Sequence, residues 1–123
     1  MKAAKRLSQL PVLNEEAGKL EGRGMEHSQA WESLQERWKN DGKIYAVKSQ
    51  SGKFYRCELC DDVIPDTIYT IVNNKIKKSL DIPYSVVHFI DEHPDKYIEE
   101  PVYKGALPKS SVFEAMGKKK WLW

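Results

Sequence analysis

Two cysteines and two histidines constrain this chain more than any other feature. Cys57 and Cys60 are spaced C-x2-C; after 27 intervening residues come His88 and His93, spaced H-x4-H and followed at once by Pro94. Zinc takes four nitrogen or sulfur ligands in tetrahedral geometry, and Cys2His2 is a standard structural set. Two thiolates on a tight turn can face one ion, and residues about one turn apart on a helix share a face. The five-position separation of the histidines exceeds the ideal four. The last helical turn must therefore tighten or unwind for both imidazoles to converge, and Pro94 agrees with a helix ending there. A thioredoxin-like redox pair would need a βαβ pattern around the cysteines, which the sequence lacks. The expectation is one zinc held by Cys57, Cys60, His88 and His93. Such a site is closed, with no open position for water; zinc hydrolysis would return only if one histidine were not a ligand.

A metal staple suits the size of the chain. At 123 residues and 14.2 kDa it is one domain, and a chain this short buries a smaller share of its surface than a long one. Its hydrophobic share of 41% and charged share of 31% support one modest core. No uncharged apolar run approaches the ~18 residues of a membrane span. The start, Met1 to Arg6, is basic but is followed by no apolar segment of the kind a secretory signal needs. With cysteines spaced as a knuckle and not as a disulfide framework, the expected location is intracellular, cytoplasm or nucleus, with reduced thiols.

The rest of the chain reads as an α+β domain. Residues 1–27 are polar and weakly periodic, with Gly18, Gly22 and Gly24, and read as an extended or disordered arm. Ser28 to Asn40 reads as a helix with Ser28 as N-cap; Trp31, Leu34 and Trp38 fall on one face, and Asn40-Asp41-Gly42 stops it. Lys43–Lys48 and Lys53–Cys57 read as the two strands of a hairpin turned by Ser49-Gln50-Ser51-Gly52. Asp66–Leu80 fits a helical stripe and also fits two strands around Asn73-Asn74, with the helix favoured. Ser85–His93 reads as a helix with Val86, Phe89, Ile90 and His93 on one face, and a short helix is expected at Ser111–Met116. The expected core is Trp31, Leu34, Trp38, Tyr45, Val47, Phe54, Val86, Phe89 and Ile90. The expected division is an arm at 1–27, a zinc domain at 28–104 and a basic, aromatic tail at 105–123.

A C-x2-C at the end of a hairpin, then a helix carrying His88-Phe-Ile-Asp-Glu-His93-Pro94, resembles a C2H2 zinc finger. The tryptophan helix and aromatic strands ahead of the knuckle look more like the BED-type variant, over about residues 38–94. The resemblance implies that the four residues are the zinc ligands and that the helix packs on the hairpin, ββα-like. The Cys-to-His gap is about twice that of an ordinary finger, so the insert should form its own element. Fingers read bases from the first turns of the helix and just before it; Asp81, Pro83, Tyr84 and Val87 stand there, and none is a good bidentate reader of a base edge.

Charge points to where a polyanion would bind. The net charge of +2 divides as +1 over residues 1–27, −3 over 28–103 and +4 over 104–123. Lysines cluster at Lys75, Lys77 and Lys78 and at Lys118, Lys119 and Lys120, the latter followed by Trp121-Leu122-Trp123. Lysines can neutralise phosphates, and Trp121 and Trp123 can stack on unpaired bases. The expected partner is nucleic acid, RNA or a ribonucleoprotein or non-sequence-specific DNA. The alternative is a protein-binding adaptor or inhibitor in which zinc is purely structural. No phosphate loop, nucleophile elbow or His-Glu-x-x-His is present, so neither enzyme activity nor a small-molecule substrate is expected.

Overall fold

Strand alternation at the start of the sheet sets the layering. In β1 (Ile44–Arg56), Ile44 and Ala46 point to one side and Tyr45 and Val47 to the other. A strand that is apolar on both sides must be covered on both faces. The computed structural model describes residues 2–94 and 109–117, and in it helices cover both faces. β1, β2 (Val63–Asn73) and β3 (Lys78–Pro83) form an antiparallel meander in that order. One face packs Ile44, Ala46, Ile71 and Ile82 against α1 (Ala3–Ser8), α4 (Tyr84–Glu92) and α5 (Lys109–Ala115). The other packs Tyr45, Val47 and Val72 against α2 (Leu13–Glu21) and α3 (His27–Asn40). The small α+β class expected from the sequence is the class found.

α3 agrees with its sequence pattern. Ala30, Leu34 and Trp38 are buried at four-residue spacing, and Trp38 meets Tyr45 with ring centroids 5.0 Å apart. Ser28 lies inside the helix, and Glu26 holds the cap position without a side-chain bond. Trp31 is half-buried at the rim, 5.5 Å from the His27 ring.

Four expectations are corrected. Residues 2–27 hold two short helices and not an extended arm. Ala3, Leu7 and Leu10 enter the core on one face of the sheet, and Leu13 and Ala17 enter it on the other. Between them Pro11 and Val12 run along β1, with the Ala46 N–H donating to the Pro11 carbonyl at 2.9 Å. The Asn14 side-chain amide exchanges two hydrogen bonds with the Lys48 backbone, at 2.7 and 3.0 Å. Helices of 6 and 9 residues are marginal alone; tertiary packing supplies what local propensity lacks. α1 and the α5 residues Val112 and Phe113 pack into the core on one face of the sheet, and α2 into the core on the other.

Second, Lys43–Lys48 and Lys53–Cys57 are not partners in a hairpin but parts of the single strand β1, which pairs with β2. Gln50 faces Thr67 and Phe54 faces Pro65, so four steps on β1 match two on β2. The segment expected as a turn is thus an irregularity in the ladder, with Gly52 at φ +78°. Pro65, which has no N–H to donate, stands beside it. Third, Asp66–Leu80 is not a helix; it spans most of β2, the turn Asn74–Lys77 and the start of β3. Its β-branched residues fit both periods, and the free sheet edge decides between them. Fourth, Phe54 is 67% exposed and not core, because it lies beyond the reach of the covering helices.

The final turn closes the fold. The Asn73 side chain, 2% exposed, donates to the Glu114 and Ala115 carbonyls and accepts from the Lys75 and Ile76 N–H groups. It caps the end of α5 and shapes the β2–β3 turn together. Gly117 follows at φ +86°, and a Cβ there would lie 2.7 Å from Ile44 Cδ1. Both the backbone angle and the close approach require glycine.

Candidate metal centre

β1 delivers Cys57 to the end of the sheet, where a tight turn begins. The Asp61 N–H donates to the Cys57 carbonyl at 2.8 Å, and the Cys57 N–H donates to the Asp62 carbonyl at 2.9 Å. Asp61 takes the left-handed φ of +60° that reverses the chain into β2. The C-x2-C knuckle is therefore the turn of the β1–β2 hairpin. The long Cys-to-His insert is spent on β2 and β3, which return the chain to the start of α4.

α4 lies on the sheet with Ser85 to Ile90 all buried. His88 projects from its middle and is 9% exposed. His93 sits just past its end, at φ −132° and ψ 54°, while its N–H still donates to the Phe89 carbonyl at 3.0 Å. The helix thus unwinds at His93, as the five-residue spacing requires. The two imidazoles meet edge to face with centroids 5.1 Å apart.

The four ligand atoms all lie within 4.8 Å of one another. Cys57 Sγ is 3.4 Å from His93 Nε2, and Cys60 Sγ is 3.3 Å from His88 Nε2. Zinc bonds of about 2.3 Å to sulfur and 2.0–2.1 Å to nitrogen, at tetrahedral angles, separate S and N by about 3.6 Å. The site is close to that size with its side chains already aimed inward. Among the described residues this is the only group of three or more His, Cys, Asp and Glu side chains placed to hold a metal. Two isolated thiol–imidazole pairs would have no reason to converge on a common centre.

Cys57 is 3% exposed, whereas Cys60 faces solvent. At Cys60 the Asp62 backbone N–H favours the thiolate; desolvation, the Cys57 thiol and the Asp62 carboxylate together outweigh it and raise the thiol pKa. A bound divalent cation reverses that balance and deprotonates a coordinating thiol.

The remaining candidates fall elsewhere. Lys75, Lys77 and Lys78 are exposed at the Asn73 end of the β1–β2 ladder, opposite the knuckle, which joins the Arg56–Val63 end. Lys118, Lys119, Lys120, Trp121 and Trp123 lie outside the described residues. His27 is in the rim of α3 and its Nδ1 is 2.8 Å from Glu21. Sequence reasoning missed Asp91, which sits between the two histidines and receives the first N–H groups of α1. A carboxylate there, facing an N-terminal segment with apolar residues at 3, 7 and 10, was the available signal.

No family model, no curated protein and no solved structure matches this chain; the structure supports a candidate Cys2His2 metal cluster on a β-hairpin and a following helix.

Proposed function

We infer that the chain is a small zinc-stabilised binding module, not an enzyme, that associates with nucleic acid without reading its sequence. The observation that carries the zinc assignment is the convergence of two thiols and two imidazoles within 4.8 Å of one another, with two S–N pairs at 3.3 and 3.4 Å. Four protein ligands leave no position for a reacting water. The metal's role is then structural, tying the knuckle to α4 across the end of the sheet.

α4 does not act as a groove-entering reading helix. Val86, Val87, Phe89 and Ile90 are buried against the sheet, and Asp81 is paired with Thr70 on β3's neighbour. That leaves phosphate contacts from lysines as the means of attachment, which are sequence-independent. Fluorescence anisotropy with labelled RNA and DNA oligonucleotides over a salt series tests this. Binding that weakens steeply with salt and ignores sequence supports the reading; failure to bind any oligonucleotide at low salt removes it.

One observation favours the protein-adaptor reading. The knuckle end exposes Phe54 at 67%, Val63 at 59% and Leu59 at 47%. Apolar groups gathered at one end suit a protein partner. In that case partner binding should be insensitive to salt and lost in Phe54→Ser.

A further inference from the structure

Two turns meet at the end of the sheet remote from the metal. One leads from α3 into β1 through Asp41 and Gly42; the other leads from β2 into β3 through Asn74–Lys77. The Asn74 side chain straps them together, donating to the Lys43 carbonyl at 2.8 Å and to the Trp38 carbonyl at 3.4 Å. The Arg37, Trp38 and Lys39 carbonyls at the end of α3 accept bonds from the Asp41, Lys43 and Gly42 N–H groups and are thus satisfied. On one side of the strap is a groove of about 700 Å³, lined by Lys39, Asn40, Lys77, Lys78 and Ser79 over Val72. On the other is a hollow of about 300 Å³, lined by Arg6, Lys43 and Lys75 with Asp41 as its one acid. Lys39, Lys43, Lys75 and Lys77 form no ion pair among the described residues, and Lys78 meets Glu114 only at 3.8 Å. Lys75, Lys77 and Lys78 are the basic cluster visible in the sequence, and Lys39, 36 positions before Lys75, joins it only in the fold.

We propose that this end of the sheet is a phosphodiester-binding site that takes single-stranded nucleic acid, with phosphates against Lys39 and Lys77 in the groove and against Lys43 and Lys75 beyond the strap. The proposal rests on the nucleic-acid reading above and names its surface. Its chemistry separates it from a protein interface. Interfaces between proteins are depleted in lysine and enriched in aromatics, and no aromatic side chain lines either hollow. The groove has the volume of a small-ligand site, which suits a nucleotide unit, and Asn40 and Ser79 supply neutral hydrogen-bonding groups beside the cations. Neighbouring cations around a hollow can follow a single-strand backbone, whereas duplex reading needs an element that enters the major groove.

The test uses the full zinc-loaded chain and a labelled twelve-nucleotide uridine or thymidine oligomer, read by anisotropy from low to high salt. The variants are Lys39→Gln/Lys77→Gln and, separately, Lys118→Gln/Lys119→Gln/Lys120→Gln; oligoglutamate serves as competitor. Each single-strand phosphate contact contributes about 0.7 to the salt slope, so the Lys39/Lys77 double variant should flatten it by about 1.4, with zinc content and unfolding midpoint unchanged. Oligoglutamate should compete poorly. Unchanged binding in the double variant, with loss in the 118–120 variant, overturns the site and leaves the nucleic-acid reading standing. Equal competition by oligoglutamate overturns the assignment to nucleic acid. No binding by the unsubstituted chain ends both.

Discussion

Asp91 holds the N-terminal helix by its two carboxylate oxygens, accepting from the Ala3 N–H at 2.7 Å and from the Ala4 N–H at 2.9 Å. It stands on α4 between His88 and His93, so the candidate metal centre and α1 are fastened to the same helix. Lys2 adds an exposed contact to Glu92 at 3.1 Å. A carboxylate at a helix N-terminus satisfies orphan N–H groups and complements the helix dipole.

Asp91→Ala is expected to destabilise the fold by about 1–2 kcal/mol, the usual cost of losing a helix cap. Hydrogen exchange should quicken first at Leu7 and Ser8 in α1, while metal content stays intact. A variant with wild-type stability and exchange would show that α1 is held by Leu7 and Leu10 alone.

The buried Asn73 side chain makes two donated and two accepted bonds. Each buried group left unpaired costs about 1–3 kcal/mol. Asn73→Ala should therefore lose about 3 kcal/mol in denaturant unfolding. Asn73→Asp should be no better, because it places a carboxylate against two carbonyl oxygens. A loss below about 1 kcal/mol would mean that α5 docks through its apolar residues without this cap.

Burial raises the pKa of Tyr45, Tyr69 and Tyr84 above the ordinary 10.0, with Glu15 adding to the effect at Tyr69 and Tyr84's neighbours adding at that residue. The folded state thus keeps phenolic protons that the unfolded state releases. By linkage, the associated stability is fully present below pH 10 and is lost as pH rises through the raised folded-state values. Unfolding midpoints should fall steadily above about pH 10, and Tyr45→Phe should reduce that fall.

Much of the site was legible because its constraint is local and chemical. C-x2-C and H-x4-H-Pro specify a turn and a fraying helix end whatever surrounds them, and His93 leaves the helix as the spacing demands. The strands were less legible. Val72, Ile76 and Leu80 satisfy periods of 2 and of 3.6 well enough that only pairing with β1 chooses between them. The N-terminal segment was misread because Ala3, Leu7, Leu10 and Leu13 are too sparse to order themselves; their apolar value depends on a sheet formed forty residues later. Phe54 shows the converse, since a strand-forming residue is buried only where a helix covers it. The Lys39 and Lys77 groove is half legible: Lys75, Lys77 and Lys78 stand out as a basic cluster along the chain, whereas Lys39 joins them only through tertiary structure.

Metal binding measured spectroscopically tests the central claim most directly. Reduced, metal-free protein would be titrated with Co²⁺ and then with Zn²⁺. Thiols must lose their protons to coordinate, so affinity should rise with pH and protons should be released. The account predicts one Co²⁺ per chain with the intense visible bands of a tetrahedral thiolate–imidazole site, displaced by one Zn²⁺, and loss of that spectrum in Cys60→Ser and in His93→Gln. Absence of stoichiometric binding, or an unchanged tetrahedral spectrum in both variants, would contradict it.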